Sequence, residues 1–211
     1  MIRLESGDWS ATVLPSLGGA LLNLDYAGQP VLRPTQPGTT DILQTACFPL
    51  VPYANRIAGG HFEFGGRAVD LPVQDRFSPH ALHGDGWLRA WSVEKAGEGH
   101  AVLRLSGGGD HWPWPWRADQ TLKLDEEGLR VTLSVTNLAE EVAPVGLGLH
   151  PYFHRSKDAR LTLKTGGVWL TDESQIPARL AEPAALVDWS SGRDLTGAPF
   201  VDHAYADWSR K

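Results

Sequence analysis

An all-β fold, a large antiparallel β-sandwich, is what the sequence predicts, and three observations predict it. Short alternations of apolar and polar residues recur along the 211-residue chain, each bounded by turn residues. The composition agrees, because 23 Gly, 15 Pro and 9 Trp make a turn-rich, aromatic-rich profile suited to many short strands. No window of helical length keeps an i, i+3, i+4 apolar stripe free of Gly or Pro, and shorter helices do not sustain themselves in water.

Taken in order, strands are expected at 10–14 and 20–26, the second closed by Ala27-Gly28. Two more, at 61–64 and 68–71, flank Gly65-Gly66, and another at 101–105 ends in Ser106-Gly107-Gly108-Gly109. The clearest element is a hairpin over 117–138. Leu122 and Leu124 alternate with Thr121 and Lys123, Asp125-Glu126-Glu127-Gly128 turns the chain, and Leu129, Val131, Leu133 and Val135 alternate with Arg130, Thr132 and Ser134. Such a hairpin has one wet face. Further strands are expected at 160–164 and 168–171, while 138–142 makes a turn of helix at most. Segments 33–55 and 73–87, rich in Pro, Gln, Thr, Ser and His, read as long loops over one sheet, and long ordered loops usually carry function. No shift of composition marks a boundary, so one domain is expected over 1–211.

A formal net charge of -6 without any Lys/Arg-rich run argues against a nucleic-acid partner. The first residues lack the apolar core of a signal peptide, and no apolar stretch approaches membrane-spanning length. A cytoplasmic protein with a small neutral ligand and no membrane partner is the expectation. Cys47 is the only cysteine, which rules out a disulfide within the chain, and a buried small hydrophobe is its expected role.

Five segments could carry chemistry. In Pro144-Val145-Gly146-Leu147-Gly148-Leu149-His150-Pro151-Tyr152-Phe153, a period of two sends Val145, Leu147 and Leu149 to one face and Gly146, Gly148 and His150 to the other. The first face is expected to be core and the second to leave room for a ligand, with His150 as a positioned acid or base. The plainer alternative is a satisfied core histidine. In 52–62, Asn55 and Arg56 leave a loop before a hairpin, and the Arg56 fork suits sugar hydroxyls or an anion, or else a surface ion pair. In 80–89, His83 sits on a glycine turn with Trp87 close behind, a combination that suits a saccharide. His80 and His83 form a His-x-x-His pair without a carboxylate set beside it, so no metal is expected. The run His111-Trp112-Pro113-Trp114-Pro115-Trp116 offers indoles as stacking surfaces for pyranose faces, with two of the three expected in the core. Asp202, beside His203, either binds hydroxyls or is a solvated loop acid, and His154 is expected at the surface. No phosphate loop, Gly-x-Ser-x-Gly elbow or dinucleotide fingerprint is present.

At these residues the chain resembles the aldose 1-epimerase, or galactose mutarotase-like, family. Asn55-Arg56-Ile57 with Gly60 resembles its Asn-Arg-Ile segment, Leu82-His83-Gly84 its Leu-His-Gly segment, and His150-Pro151-Tyr152-Phe153 its His-x-Tyr-Phe segment. Asp202-His203-Ala204-Tyr205 is similar to its Asp-x-x-Phe/Tyr substrate loop. The resemblance implies a β-sandwich that interconverts the α and β anomers of an aldose without a cofactor. It implies His150 as the general acid at the ring oxygen, His83 assisting beside it, and Asn55, Arg56 and Asp202 binding the sugar. The family's base is a glutamate on a strand after the Asp-x-x-Tyr loop. No residue of this chain matches it, since Glu173 and Glu182 precede that loop. The family's final strands are likewise expected to be missing, and a homo-oligomer is one way to cover the open sheet edges. Two other readings stay open: a non-catalytic sugar-binding or sensor protein, and a hexose-phosphate mutarotase in which Arg56, Arg76 or Arg89 converge on a phosphate.

Overall fold

The computed structural model of the chain describes residues 1–209. Two compact units make up the chain, Met1–His154 and the residues from Arg155 onward. In the first, β1 (Ile2–Ser6), β2 (Trp9–Leu14), β3 (Ala20–Tyr26) and β4 (Gln29–Pro30) pair in sequence order as one antiparallel sheet. Short ladders follow: β5 (Pro49–Leu50), β6 (Arg56–Ile57), β7 (His61–Phe64), β8 (Arg67–Asp70) and β9 (Ala81–Leu82). A second four-stranded antiparallel sheet is built from β10 (Ser92–Gly97), β11 (His100–Gly107), β12 (Trp116–Asp125) and β13 (Gly128–Asn137).

The two large sheets form a sandwich because their inward residues share one core. Leu4, Ala11, Val13, Leu21 and Leu24 of the first meet Ala101, Leu103, Leu105, Ala118, Leu122 and Leu124 of the second in one buried cluster. Gln120 is buried with them, and its side-chain amide donates to the Gly19 carbonyl at 3.1 Å, which lowers the cost of burying a polar group. Trp112, Trp114 and Trp116 all belong to this core. Their spacing of two puts all three indoles inward, where Trp112 stacks on Tyr53 and Phe62 and Trp114 meets Phe64 edge-on. The expected sugar-stacking surface on this run therefore does not form.

Strands at 20–26 and 61–64 and the long hairpin lie where alternation placed them. β1 carries a short Ile2/Leu4 alternation and is not among the expected strands, and β10 was not legible because Glu94 and Lys95 break up its apolar pattern. Segments 33–55 and 73–87 contain 3₁₀ turns, two-residue ladders and a single bridge from Cys47 to Leu21, as expected of ordered loops.

β14 (Gly148–Leu149) corrects the reading of the glycine-rich strand. It pairs with β5, Gly148 opposite Leu50 and Leu149 opposite Pro49. The close approach that the glycines permit is made by the protein itself. A Cβ on Gly148 would lie 3.0 Å from the Ala54 Cβ and 3.2 Å from Leu50 Cδ1, and the Gly146 amide donates to the Pro52 carbonyl. The opposite face, expected to be core, is open: Val145 is 47% exposed and Leu147 and Leu149 are 39% exposed.

In the second unit, β15 (Arg160–Leu161), β16 (Gly167–Thr171), β17 (Pro177–Ala181), β18 (Arg193–Asp194) and β19 (Tyr205–Ala206) make two small antiparallel sheets. β15 pairs with β18, and β16 lies between β17 and β19. Among the described residues no helix is long and apolar enough to cross a membrane.

Candidate active site

The short β6–β9 ladder assembles the site. It pairs Arg56 with Leu82 and Ile57 with Ala81, so the next position brings Asn55 opposite His83. Both residues have left-handed backbones, φ 68° and 61°, a region that side-chain-bearing residues occupy at a cost. Two reciprocal bonds hold them there. The Asn55 amide donates to His83 Nδ1 at 2.9 Å, and the His83 amide donates to the Asn55 carbonyl at 3.0 Å. Gly84 follows at φ +66°, and a Cβ there would lie 2.2 Å from the Val51 carbonyl oxygen. Gly84→Ala is therefore expected to destabilise the fold by more than about 1 kcal/mol. Chemical denaturation measures this, and an unchanged midpoint would show that the turn relaxes freely.

These bonds decide the protonation of His83. A backbone amide can only donate, so Nδ1 must present a lone pair and the ring proton must sit on Nε2. A second proton would set two N–H groups against each other. Burial, then the charge of His150, then that of Arg56, push the His83 pKa down from 6.5 to about 4. Between these values the unfolded chain binds a proton that the folded chain refuses. Stability from this group is thus full above about pH 6.5 and falls towards pH 4, by at most about 1.4 kcal/mol per unit. Unfolding free energies of the wild type and His83→Gln from pH 7 to pH 4 test this. The wild type should show the steeper fall on acidification, and equal slopes rule the coupling out.

His150 follows β14, and its amide donates to the Phe48 carbonyl at 2.9 Å. Its half-buried ring lies nearly parallel to Phe48, with centroids 4.7 Å apart and planes at 15°. His83 meets it edge-to-face at 5.7 Å. Trp87 backs the pair, stacked on Phe48 at 5.5 Å and edge-on to His83 at 5.9 Å. The Trp87 indole N–H donates to the Gly84 carbonyl, which ties this aromatic floor to the His83 turn.

The first unit thus brings His83, His150, Asn55 and Arg56 to one place. Arg56 is half-buried and close enough for its charge to act on His83. The Asn55 carboxamide oxygen accepts from the Arg56 amide at 2.8 Å, so its NH₂ is the group it can offer a ligand. Asp202 belongs to the second unit, exposed shortly before β19. There Tyr205 Oη accepts from the Trp189 indole at 2.9 Å. Glu173 and Glu182 are exposed in the same unit.

Other expected candidates have structural duties. His80 is 7% exposed, and its Nδ1 accepts from the Gly59 amide, so both histidines of the His-x-x-His pair serve backbone amides. Arg76 is paired with Asp41 at 3.2 Å. Arg89 is paired with Asp85 at 3.1 Å and bonded to the Ser106 carbonyl. Each of these guanidiniums already faces a carboxylate, which speaks against a phosphate site built on them. Cys47 is buried and its thiol is pushed up to about 12 by burial. His154 is exposed. Sequence reasoning passed over Phe48, Trp87 as a support, Tyr152 and Arg33. Tyr152 was findable from its i+2 spacing to His150, whereas Phe48 and Arg33 come from a loop whose path no periodicity gives.

The family model for aldose 1-epimerase matches residues 1–211. The uncharacterized protein YphB of Escherichia coli K12 is 35% identical over 199 residues, 91% of this chain. The chain spans 65% of that relative's length. A solved Escherichia coli K12 structure named "Putative aldose 1-epimerase" is 31% identical and superposes with a TM-score of 0.89, over 98% of this chain and 70% of that one. Galactose 1-epimerase from Lactobacillus acidophilus, 20% identical, shares the fold with a TM-score of 0.78 over 96% of this chain and 64% of its own. With a family match along residues 1–211, a fold shared with solved relatives and three of its motifs gathered around one histidine pair in the first unit, the chain belongs to the aldose 1-epimerase family.

Proposed function

We propose that the chain binds an aldose and interconverts its anomers, with His150 carrying the proton exchanged at the ring oxygen and His83 donating a hydrogen bond beside it. The observation that carries this reading is the edge-to-face His83–His150 pair, in which the Asn55 amide fixes one ring as a neutral Nε2–H donor. Ring opening needs a proton delivered to the ring oxygen and another removed from the anomeric hydroxyl. Two imidazoles in the same environment would compete for one proton. Here His83 is kept neutral, which leaves His150 as the proton carrier and gives the pair separate duties. Arg56 supplies donors to hydroxyl oxygens, and Asp202, by its match to the family's substrate loop, accepts from hydroxyl hydrogens. The anomeric proton goes to a glutamate in the family scheme; no residue of this chain matches it, so here that proton passes to solvent water while His150 protonates the ring oxygen.

Following freshly dissolved α-D-glucose and α-D-galactose by polarimetry tests the proposal. The protein should speed equilibration well above the buffer rate. Equilibration no faster than buffer, combined with sugar-dependent changes in tryptophan fluorescence, would replace the isomerase reading with a sugar-binding one.

A further inference from the structure

The surroundings of His150 hold a second layer of order. The centroids of Phe48, His150 and Tyr152 form a triangle with sides of 4.7, 4.8 and 6.3 Å. Had Tyr152 covered the imidazole face opposite Phe48, the two aromatic rings would lie much farther apart. Tyr152 therefore packs to the side of the Phe48–His150 stack, tilted by 39° to the imidazole, the two centroid lines meeting at roughly a right angle at His150. Phe48 sets the plane of the ring and Tyr152 limits its rotation within the site, while His83 stands at 5.7 Å.

Tyr152 is itself held from the other side. Its amide donates to the Ala46 carbonyl and its carbonyl accepts from the Arg33 amide, each at 2.8 Å. The Arg33 guanidinium lies 3.8 Å from the centre of the tyrosine ring, a cation-π contact. Arg33 cannot swing away cheaply, because its Nη2 donates to the Leu43 and Thr45 carbonyls at 2.7 Å each. An unbroken series of contacts thus runs from two loop carbonyls through Arg33 and Tyr152 to His150.

We propose that Tyr152 and Arg33 are positioning residues that hold the His150 imidazole in its working orientation toward His83. The proposal rests on the reading of His150 as proton carrier, and it assigns the work to the aromatic ring of Tyr152 and not to its hydroxyl. Small misplacements of a catalytic group cost turnover far more than binding, on the order of 10²-fold.

The test compares Tyr152→Leu, Tyr152→Phe and Arg33→Met by mutarotation of α-D-galactose and by the His150 imidazole resonances in NMR. Tyr152→Leu should lower kcat by about 10²-fold with KM within about threefold, whereas Tyr152→Phe should stay within about threefold on both. The His150 resonances should shift in Tyr152→Leu and Arg33→Met and stay in place in Tyr152→Phe. The proposal is overturned if Tyr152→Leu keeps wild-type kcat, or if Tyr152→Phe loses as much as Tyr152→Leu. If the wild type equilibrates no sugar, the functional reading fails by itself. The resonances then decide, and an unmoved His150 signal in Tyr152→Leu overturns the clamp. Should Tyr152→Leu not fold, Arg33→Met carries the comparison, with unchanged kcat and unchanged His150 resonances as the overturning result.

Discussion

Replacing His150 by alanine is expected to lower kcat for anomer interconversion by about 10²- to 10⁴-fold, the usual worth of a positioned general acid. The argument is geometric. His83 is committed to the Asn55 amide through Nδ1 and stays neutral down to about pH 4, so it cannot replace His150 as proton carrier at neutral pH. Deleting the imidazole should leave sugar binding largely intact, because Arg56, Asn55 and the neutral His83 remain. The expected signature is a collapse of kcat with a small change in KM. His150→Gln refines the comparison by preserving hydrogen-bonding capacity without a titrating ring, and it should be as slow as His150→Ala. Polarimetry with both variants measures the effect. Turnover within about threefold of wild type in His150→Ala would remove His150 from the mechanism, since even a modest acid contributes more.

Trp87→Ala is expected to cost about 3–5 kcal/mol of stability, the range for deleting a fully packed tryptophan. Trp87 is 1% exposed and fills the space between Phe48, Phe77 and His83. Its removal opens a cavity and leaves the buried Gly84 carbonyl without the indole donor at 3.0 Å. Phe48, which sets the plane of His150, also loses its backing, so kcat should fall along with stability. Urea unfolding gives the first quantity and polarimetry the second. A loss below about 1 kcal/mol would mean that the cluster collapses onto the gap and that Trp87 is not its keystone.

The fold was readable because the signals that specify it are local. Alternation in Leu122, Leu124, Leu129, Val131, Leu133 and Val135 needs only a turn at 125–128 to become β12 and β13. The residues of the site were readable as motifs, and His83 and His150 were named from them. Their arrangement was not. Alternation around His150 gave two faces correctly, yet which one is covered depends on β5 and the 50–54 segment, about a hundred residues earlier. The tryptophan run shows the same limit: a spacing of two placed the indoles on one side, and only the opposing Tyr53 and Phe62 made that side core.

What the sequence determined by itself is the β-rich character, the hairpin order and the list of polar residues able to do acid–base chemistry, because propensity, turn geometry and side-chain type act over a few neighbouring residues. Only the tertiary structure decided that His83 is a neutral Nε2–H donor, that His150 rests on Phe48 against Tyr152, and that Arg76 and Arg89 are already paired. Each of those outcomes depends on a partner brought in by folding. The Asn55 amide that fixes the His83 tautomer lies 28 residues away along the chain, and a proton's position follows the donor that faces it.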